Sequence, residues 1–592
     1  MNLFVWFLVW AAVFYLPFSL EKARLLSRSR IVSLLFGLFL FYIYAASLTP
    51  ESILLYWLIF WRFLVGLFEM LFQVPRLEET EERFYTSRLR RRPKPRFSAK
   101  VSALILAIFL LGSSIGVVFS QVQRVSNAFY FKSLIQAGSG LPFSEPIPDN
   151  MVRLVTEELA VSVARQRMSE FGSNVKLLGC HITKTMDGRG LVWVAVIGST
   201  NVLAENYVKG FVVINATDPT ATPQIIHEEF QIGEGLWWTR NIKFKSYLAD
   251  TRYSYGVAYP SWNNVTGKLN YVLARYLVGF DLIRQYQGLL IYDQNGGVIS
   301  EYSKLSDVPS WVTQVYDEDW LENMINEWGN FRRGESFDYW AGGFLWIIPP
   351  SRDRVEMSED TRYILDPDTD DLIAMVCLNP VTSERTLAGI FKATRQGIFF
   401  YNYSKENYIS GVTAQDVVEG KLPKPATGYY YATMPLLYPI KFEEGVFRLA
   451  WYVPIYWSET EEGGTIYLAG FAIIDAQDIN YISIKMTGGG ITGEELVRST
   501  RTEFLGLFGK ITYVELNTTV LNKYEYVKDG TTHIVLNVDN STYPYIEAKP
   551  EDLTSQEWYE LLSTEQYDQI TARIEKRGEV WTITQYDNLN IP

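Results

Sequence analysis

Apolar residues are spread unevenly along this chain. Four long apolar stretches, Met1–Leu20, Ile31–Leu48, Ser52–Phe72 and Val101–Phe119, fill the first 121 residues, and nothing comparable follows. Each is close to the ~20 residues a helix needs to cross a bilayer, so the pattern predicts four transmembrane helices over 1–121. Beyond them the period changes. A linker over 122–150, ending in Glu145-Pro146-Ile147-Pro148-Asp149, leads into short alternating runs that read as strands. Leu191–Ile197, Tyr271–Val278, Phe447–Trp457 and Thr531–Val538 are examples. Three helices are expected among them: Met151–Phe171, stopped by Gly172; Trp311–Trp328, capped by Ser310 and ended by Gly329; and Leu553–Lys576, closed by Gly578. The expected fold class is α+β: four N-terminal transmembrane helices, then a β-dominated extracytoplasmic body with degenerate repeats over 151–345 and 346–507. A small C-terminal β-barrel-like module of the OB kind would occupy 508–592.

Charge sets the expected orientation. Glu21–Arg30 carries four basic residues and the 83–100 segment carries eight, including the run Arg88–Arg96, whereas the Thr49-Pro50-Glu51 turn carries none. Positive charge stays on the cytoplasmic side, which places the N-terminus and residues 122–592 outside a plasma membrane crossed several times. The basic loop 83–100 would then lie on anionic lipid headgroups. Of the 54 basic and 66 acidic residues, 14 and 7 fall in 1–121, leaving 40 and 59 for the body, a net of −19. So acidic a body argues against nucleic-acid binding. Cys180 and Cys377 are the only cysteines, both in apolar, strand-like runs, and the chain leaves open whether they are bridged.

One pattern recurs in the body. Gly210-Phe-Val-Val-Ile-Asn215, Gly288-Leu-Leu-Ile-Tyr-Asp293 and Gly470-Phe-Ala-Ile-Ile-Asp475 share a glycine, four apolar residues and an Asn or Asp, with Ala374-Met-Val-Cys-Leu-Asn379 as a near copy. The physical reading is a buried strand that ends in an Asx turn. A helix, then strands, then a buried strand and a turn such as Asp475-Ala476-Gln477 or Asp293-Gln294-Asn295-Gly296-Gly297 resembles the PepSY type of extracytoplasmic repeat. That resemblance covers short segments of 150–490 and implies a non-catalytic envelope fold with binding or assembly roles; it transfers no catalytic residue.

Candidate chemistry is sparse. Arg62 sits mid-way along the third apolar stretch with Glu69 two turns on, either as an ion path or as a structural charge satisfied by protein. Gly112 and Gly116 form a small-xxx-small helix-packing face in the fourth. Asp366, Asp368 and Asp370 alternate as in the opening of a Ca²⁺ loop, although Asp371 and Cys377 stand where an EF-hand needs Gly and Glu. Calcium is therefore the one cofactor considered, against a plain solvated turn. Gly488-Gly-Gly-Ile-Thr-Gly493 matches a dinucleotide fingerprint, but Glu494 and Glu495 stand where a pyrophosphate would bind. The three histidines, His181, His227 and His533, are scattered. The expectation is a non-enzymatic membrane-anchored envelope protein that binds or assembles with surface components, as a homo-oligomer or with other envelope proteins in the lipid bilayer. The alternative is an oligomeric pore or transport-associated subunit built around Arg62 and Glu69.

Overall fold

A computed structural model describes residues 3–15, 28–72, 118 and 120–591, except 334–335, 345–346, 444–445, 461–464, 488–492, 509–512, 529–530 and 578–579. The N-terminal helices α1 (Leu3–Tyr15), α2 (Arg28–Ala46) and α3 (Glu51–Phe72) pack on one another through Trp6, Trp10, Phe14, Leu40, Phe41, Leu54 and Leu58. Among the described residues no helix is long and apolar enough to cross a membrane. The 13 residues of α1 rise only about 20 Å, short of the ~30 Å hydrocarbon layer. Helix α2 opens on Arg28 and Arg30, and α3 carries Glu51, Arg62 and Glu69. The expectation of four transmembrane helices is corrected on this point. With it falls the multi-pass plasma-membrane placement and the sidedness drawn from it. Apart from Val118, the expected fourth span, with Gly112 and Gly116, lies outside the described residues, as does the basic run Arg88–Arg96.

The bundle is tied to the body by hydrogen bonds at one turn. The Glu51 amide donates to the Thr251 carbonyl (2.8 Å), Ser52 Oγ to the Val278 carbonyl (2.8 Å), and the Tyr247 hydroxyl to the Thr49 carbonyl (2.7 Å). A further helix, α4, over residues 120–134, buries Ala128 and Phe131 and runs straight into strand β1 (Ile135–Ala137).

The body is four sheets, antiparallel except for one parallel edge strand, each entered through a helix. Helix α5 (Glu157–Arg167) precedes a sheet in the order β2 (Val175–Lys184), β3 (Leu191–Ser199), β4 (Val208–Asn215), β5 (Gln224–Ile226). Helix α6 (Ile242–Ala249) precedes β6 (Tyr253–Asn263), β7 (Lys268–Val278), β8 (Arg284–Tyr292) and β9 (Val298–Tyr302), again a simple meander. Helix α7 (Glu318–Asn330) and a small hairpin, β10 (Arg332–Arg333) and β11 (Ser336–Phe337), lead to the third sheet. There β12 (Val355–Met357) and β13 (Arg362–Leu365) both pair β14 (Leu372–Pro380), followed by β15 (Gly389–Thr394), β16 (Gly397–Asn402) and, in parallel, β1. Helix α8 (Gly411–Glu419) opens the fourth. In it β17 (Tyr429–Ala432) and β18 (Leu436–Glu443) share β19 (Val446–Ser458), which pairs β20 (Ile466–Asp475) and then β21 (Ile482–Met486). One core joins all four sheets with α5, α7 and α8; a second lies between the first two sheets, lined by Val194, Phe211, Tyr271 and Leu273. Sheets buried on both faces read as nearly continuous apolar runs, as in the fully buried β3.

The glycine motif has a steric cause. A Cβ on Gly210, Gly288 or Gly470 would meet a carbonyl oxygen of the next strand, at 2.3 Å (Ile226), 1.8 Å (Tyr302) and 2.5 Å (Lys485) respectively. The motif's last residue closes an Asx turn. Asn215 Oδ1 accepts from the Thr217 and Asp218 amides, Asp293 Oδ1 from Asn295 and Gly297, and Asp475 Oδ1 from Gln477 and Asp478. In the third sheet the expected near copy Ala374–Asn379 is on the wrong strand, β14. The residues in the corresponding place are Gly389–Thr394 on β15, where the added Cβ would meet Tyr401 O at 2.6 Å and Thr394 Oγ1 accepts from the Gln396 amide. Lys392 interrupts the apolar run there, which hid the match.

After helix α9 (Gly493–Gly506) the chain closes a five-stranded barrel in the order β22 (Tyr513–Lys528), β23 (Thr531–Val538), β24 (Tyr545–Ala548), β26 (Val580–Asn588), β25 (Gln569–Arg577). The helix expected over Leu553–Lys576 is only α10 (Ser555–Ser563), with a Thr554/Glu557 capping box. From Gln569 onward it is β25, in which Ile570, Ala572 and Ile574 alternate into the barrel.

Candidate functional site

Strands of the first three sheets and the loop between β17 and β18 of the fourth line one cavity of about 520 Å³. Its acidic side is built by two helix starts. Before α5, the Leu154 and Val155 amides both donate to the Ala216 carbonyl at 2.9 Å, and Thr156 caps the helix by accepting from the Leu159 amide. The Tyr456 hydroxyl, from the fourth sheet, accepts from the Thr156 amide (3.1 Å) and donates to the Leu154 carbonyl. This fixes Glu157 and Glu158 at the cavity wall. Helix α7 starts later than the sequence suggested, at Glu318, because Asp317 and not Ser310 supplies the cap. Asp317 Oδ2 accepts from the Trp320 amide (3.2 Å), Oδ1 from the Val257 amide (2.5 Å), and the Asp317 amide donates to the Tyr276 hydroxyl (2.9 Å). Glu318 thus enters the same cavity from the opposite helix. Asp360 arrives from the loop before β13, where Glu322 Oε1 accepts from both the amide and the hydroxyl of Thr361 at 2.9 Å.

Five carboxylates, those of Glu157, Glu158, Asp317, Glu318 and Asp360, therefore line one space, and none makes an ion pair among the described residues. The basic side chains on the wall are mostly committed elsewhere: His181 Nε2 to Glu234 Oε2 at 2.7 Å, and Arg362 to Glu359 at 2.9 Å. Arg153, only 4 % exposed, has no carboxylate. It donates to the Tyr363 carbonyl and to Met434 Sδ, and its guanidinium lies 5.7 Å from the Trp193 ring centre. Burial lowers Arg153 to about 10, and nearby Arg362 adds to that. Burial raises Glu318 to about 7, reinforced by the charges of Glu322, Glu157, Asp360 and Asp319. Burial also raises Glu157, against His181 and Arg153, and raises Asp317, against the hydrogen bond from the Val257 amide. The aromatic wall is Trp193, Tyr259, Tyr316 and Tyr363. Tyr259 is 3 % exposed, its hydroxyl oxygen buried beside the Gln314 backbone.

The residues singled out in the sequence go elsewhere. Asp366 is buried against Lys392 Nζ at 2.9 Å. The Asp368 carboxylate accepts from the Ser144 amide and hydroxyl and from the Glu145 amide, and Asp370 takes a positive φ of 54° in the turn. Lys392 also donates to the Pro142 carbonyl at 2.9 Å, so the acidic turn holds the 142–145 segment against the third sheet. Among the described residues no three His, Cys, Asp or Glu side chains are placed to hold a metal ion. Arg62 is half-buried in α3; Glu69 lies on the same helix. Cys180 and Cys377 are free thiols, and burial pushes both far up. Of the cavity residues only Cys180 and His181 stand out in the sequence, and none of the five acids does. Acid pairs after a cap (Thr156-Glu157-Glu158, Asp317-Glu318-Asp319) are the ordinary complement of a helix dipole, and only their convergence marks them.

No family model, curated protein or solved structure matches the chain. The PepSY resemblance accordingly gains no support from that side.

Proposed function

We propose that this is a non-enzymatic binding protein whose four-sheet body holds a small ligand in the central cavity. The observation that carries this reading is the cavity wall itself: strands of three sheets and the β17–β18 loop of the fourth meet around about 520 Å³, within the range of small-molecule sites, and five carboxylates on that wall make no ion pair among the described residues. Four of those acids sit on a helix cap or in a first turn, whose backbone bonds fix them before any ligand arrives, which suits recognition by a preformed site. The helical bundle and the barrel, on separate cores, are the surfaces by which such a body would assemble with others. The test is hydrogen exchange on the full chain, with a panel of cationic, neutral and anionic solutes. Selective protection of 153–158 and 314–318 by one solute class is expected; no change in either segment with any class refutes the reading.

A further inference from the structure

We propose that Trp237 and Trp238, on the turn that enters α6, form a binding site for an uncharged oligosaccharide. The site is separate from the cavity and independent of what fills it. Both indoles are about half exposed, at 52 % and 54 %. They meet edge to face, with ring centres 5.6 Å apart and planes inclined by 64°, and the Trp238 ring also lies 5.8 Å from that of Phe244. Tryptophan carries a large apolar surface, so two adjacent indoles left in water mark a surface that a partner covers.

The backbone holds this exposure in place. Trp238 has φ +53°, in the left-handed region that a bulky residue avoids. Glycine takes such a conformation freely, as Gly235 does in the same loop at φ +66°. An indole kept at a position suited to glycine needs a reason, and the fold supports the strain from both sides. The Asn206 side chain accepts from the Trp237 amide and donates to the Trp237 carbonyl, both at 2.8 Å. The Gly233 amide donates to the Arg240 carbonyl (3.1 Å), and the Ile242 amide to the Gly233 carbonyl (3.2 Å). Asn241 caps α6 and donates its side-chain amide to the Leu236 carbonyl. A platform fixed in this way has little conformational freedom left to lose when a ligand stacks on it.

The polar groups of the turn select the ligand. They are Asn206, Gln231, the exposed Thr239 and the exposed Arg240, whose Nη1 donates to the Gln231 carbonyl (3.0 Å) and Oε1 (2.7 Å). Amides, a hydroxyl and a guanidinium beside flat rings complement a pyranose, which offers C–H groups on its face and hydroxyls around its rim. Two inclined indoles can each take one of two successive sugar rings. Charge argues against the other stacking ligands: nucleobases bring phosphates, which a body of 40 basic and 59 acidic residues repels, and anionic lipid meets the same repulsion.

The experiment is an array of immobilised uncharged glycans probed with the full chain, followed by titration calorimetry with the best-retained oligosaccharide, beside phosphatidylcholine vesicles. Saturable binding is expected, at least about tenfold weaker in Trp237→Ala and Trp238→Ala. Trp238→Gly separates binding from folding. Because φ +53° suits glycine, this variant should keep the wild-type melting temperature while losing the glycan. A clear drop in its melting temperature overturns the proposal, since the indole would then be holding the loop. Retention of no glycan, or binding unchanged in all three variants, overturns it too. Vesicle binding in place of glycan binding, lost in the alanine variants, overturns it in favour of a lipid-interface anchor.

Discussion

Glu318 offers the sharpest check on the electrostatics of the cavity. Burial, then the charges of Glu322, Glu157, Asp360 and Asp319, raises it from 4.5 to about 7. Below about pH 4.5 it is protonated in the folded and unfolded chain alike and costs nothing. Between about 4.5 and 7 the unfolded chain gives up this proton while the folded one keeps it. Stability therefore falls as pH rises, by about 1.4 kcal/mol per pH unit at the steepest. Above 7 both forms are ionised and the whole loss, about 3 kcal/mol at most, is in place. Glu318→Gln removes this contribution and also relieves Glu157 and Asp360 of a like charge. Denaturant unfolding at intervals from pH 4.5 to 8, in the absence of added ligand, should show the variant gaining on the wild type across that window by up to about 3 kcal/mol. The gain should all be on the alkaline side. Parallel curves, with a gap that stays within about 0.5 kcal/mol over the window, would mean that Glu318 is solvated like a surface acid and the account of the cavity is wrong.

Other outcomes follow from the same structure. Lys392→Met leaves Asp366, 2 % exposed, without its partner and should cost roughly 3–5 kcal/mol, while Lys392→Met with Asp366→Asn recovers much of it; thermal melting of both checks this. Gly288→Ala puts a Cβ 1.8 Å from the Tyr302 carbonyl oxygen at φ +96° and should cost about 3 kcal/mol or more. Gly140→Ala, at φ +75° with nothing within 4 Å, should cost only about 1 kcal/mol. Arg498 on α9 is ion-paired with Glu557 on α10, and this joins barrel to body. Burial draws Glu557 upward, but the Arg498 and Thr554 hydrogen bonds carry it below its ordinary value. This contribution is present above the unfolded carboxylate's 4.5 and is lost as pH falls below it. Arg498→Met should accordingly speed proteolysis within 513–588 at pH 7, with the gap to wild type closing in acid.

What the sequence settled by itself is whatever a few neighbouring residues decide. Short apolar runs placed β3, β7, β19 and β23, and the glycine and Asx positions marked where a strand passes under its neighbour's carbonyls and then turns. Those signals are local, since a turn's hydrogen bonds lie within four residues of its Asn or Asp. Tertiary structure decided the rest. Residues 569–577 became a strand because a barrel offered β22 and β26 as partners, and no helical register competes with two ladders. The aspartates of the 366–370 turn, spaced for a cation, met Lys392 and Ser144, more than 20 positions away in either direction. The N-terminal apolar stretches turned part of their surface on each other, through Trp10, Phe14 and Leu54. The cavity is the extreme case. Thr156-Glu157-Glu158 and Asp317-Glu318 each satisfy a helix start on their own, and nothing in either segment reports the other. Only the packing of four sheets brings them across one space. Charges that cost little at two separate helix ends then face one another, and Glu318, the most perturbed of them, is raised by burial and by Glu157 across the space, because repulsion depends on distance through space and not along the chain.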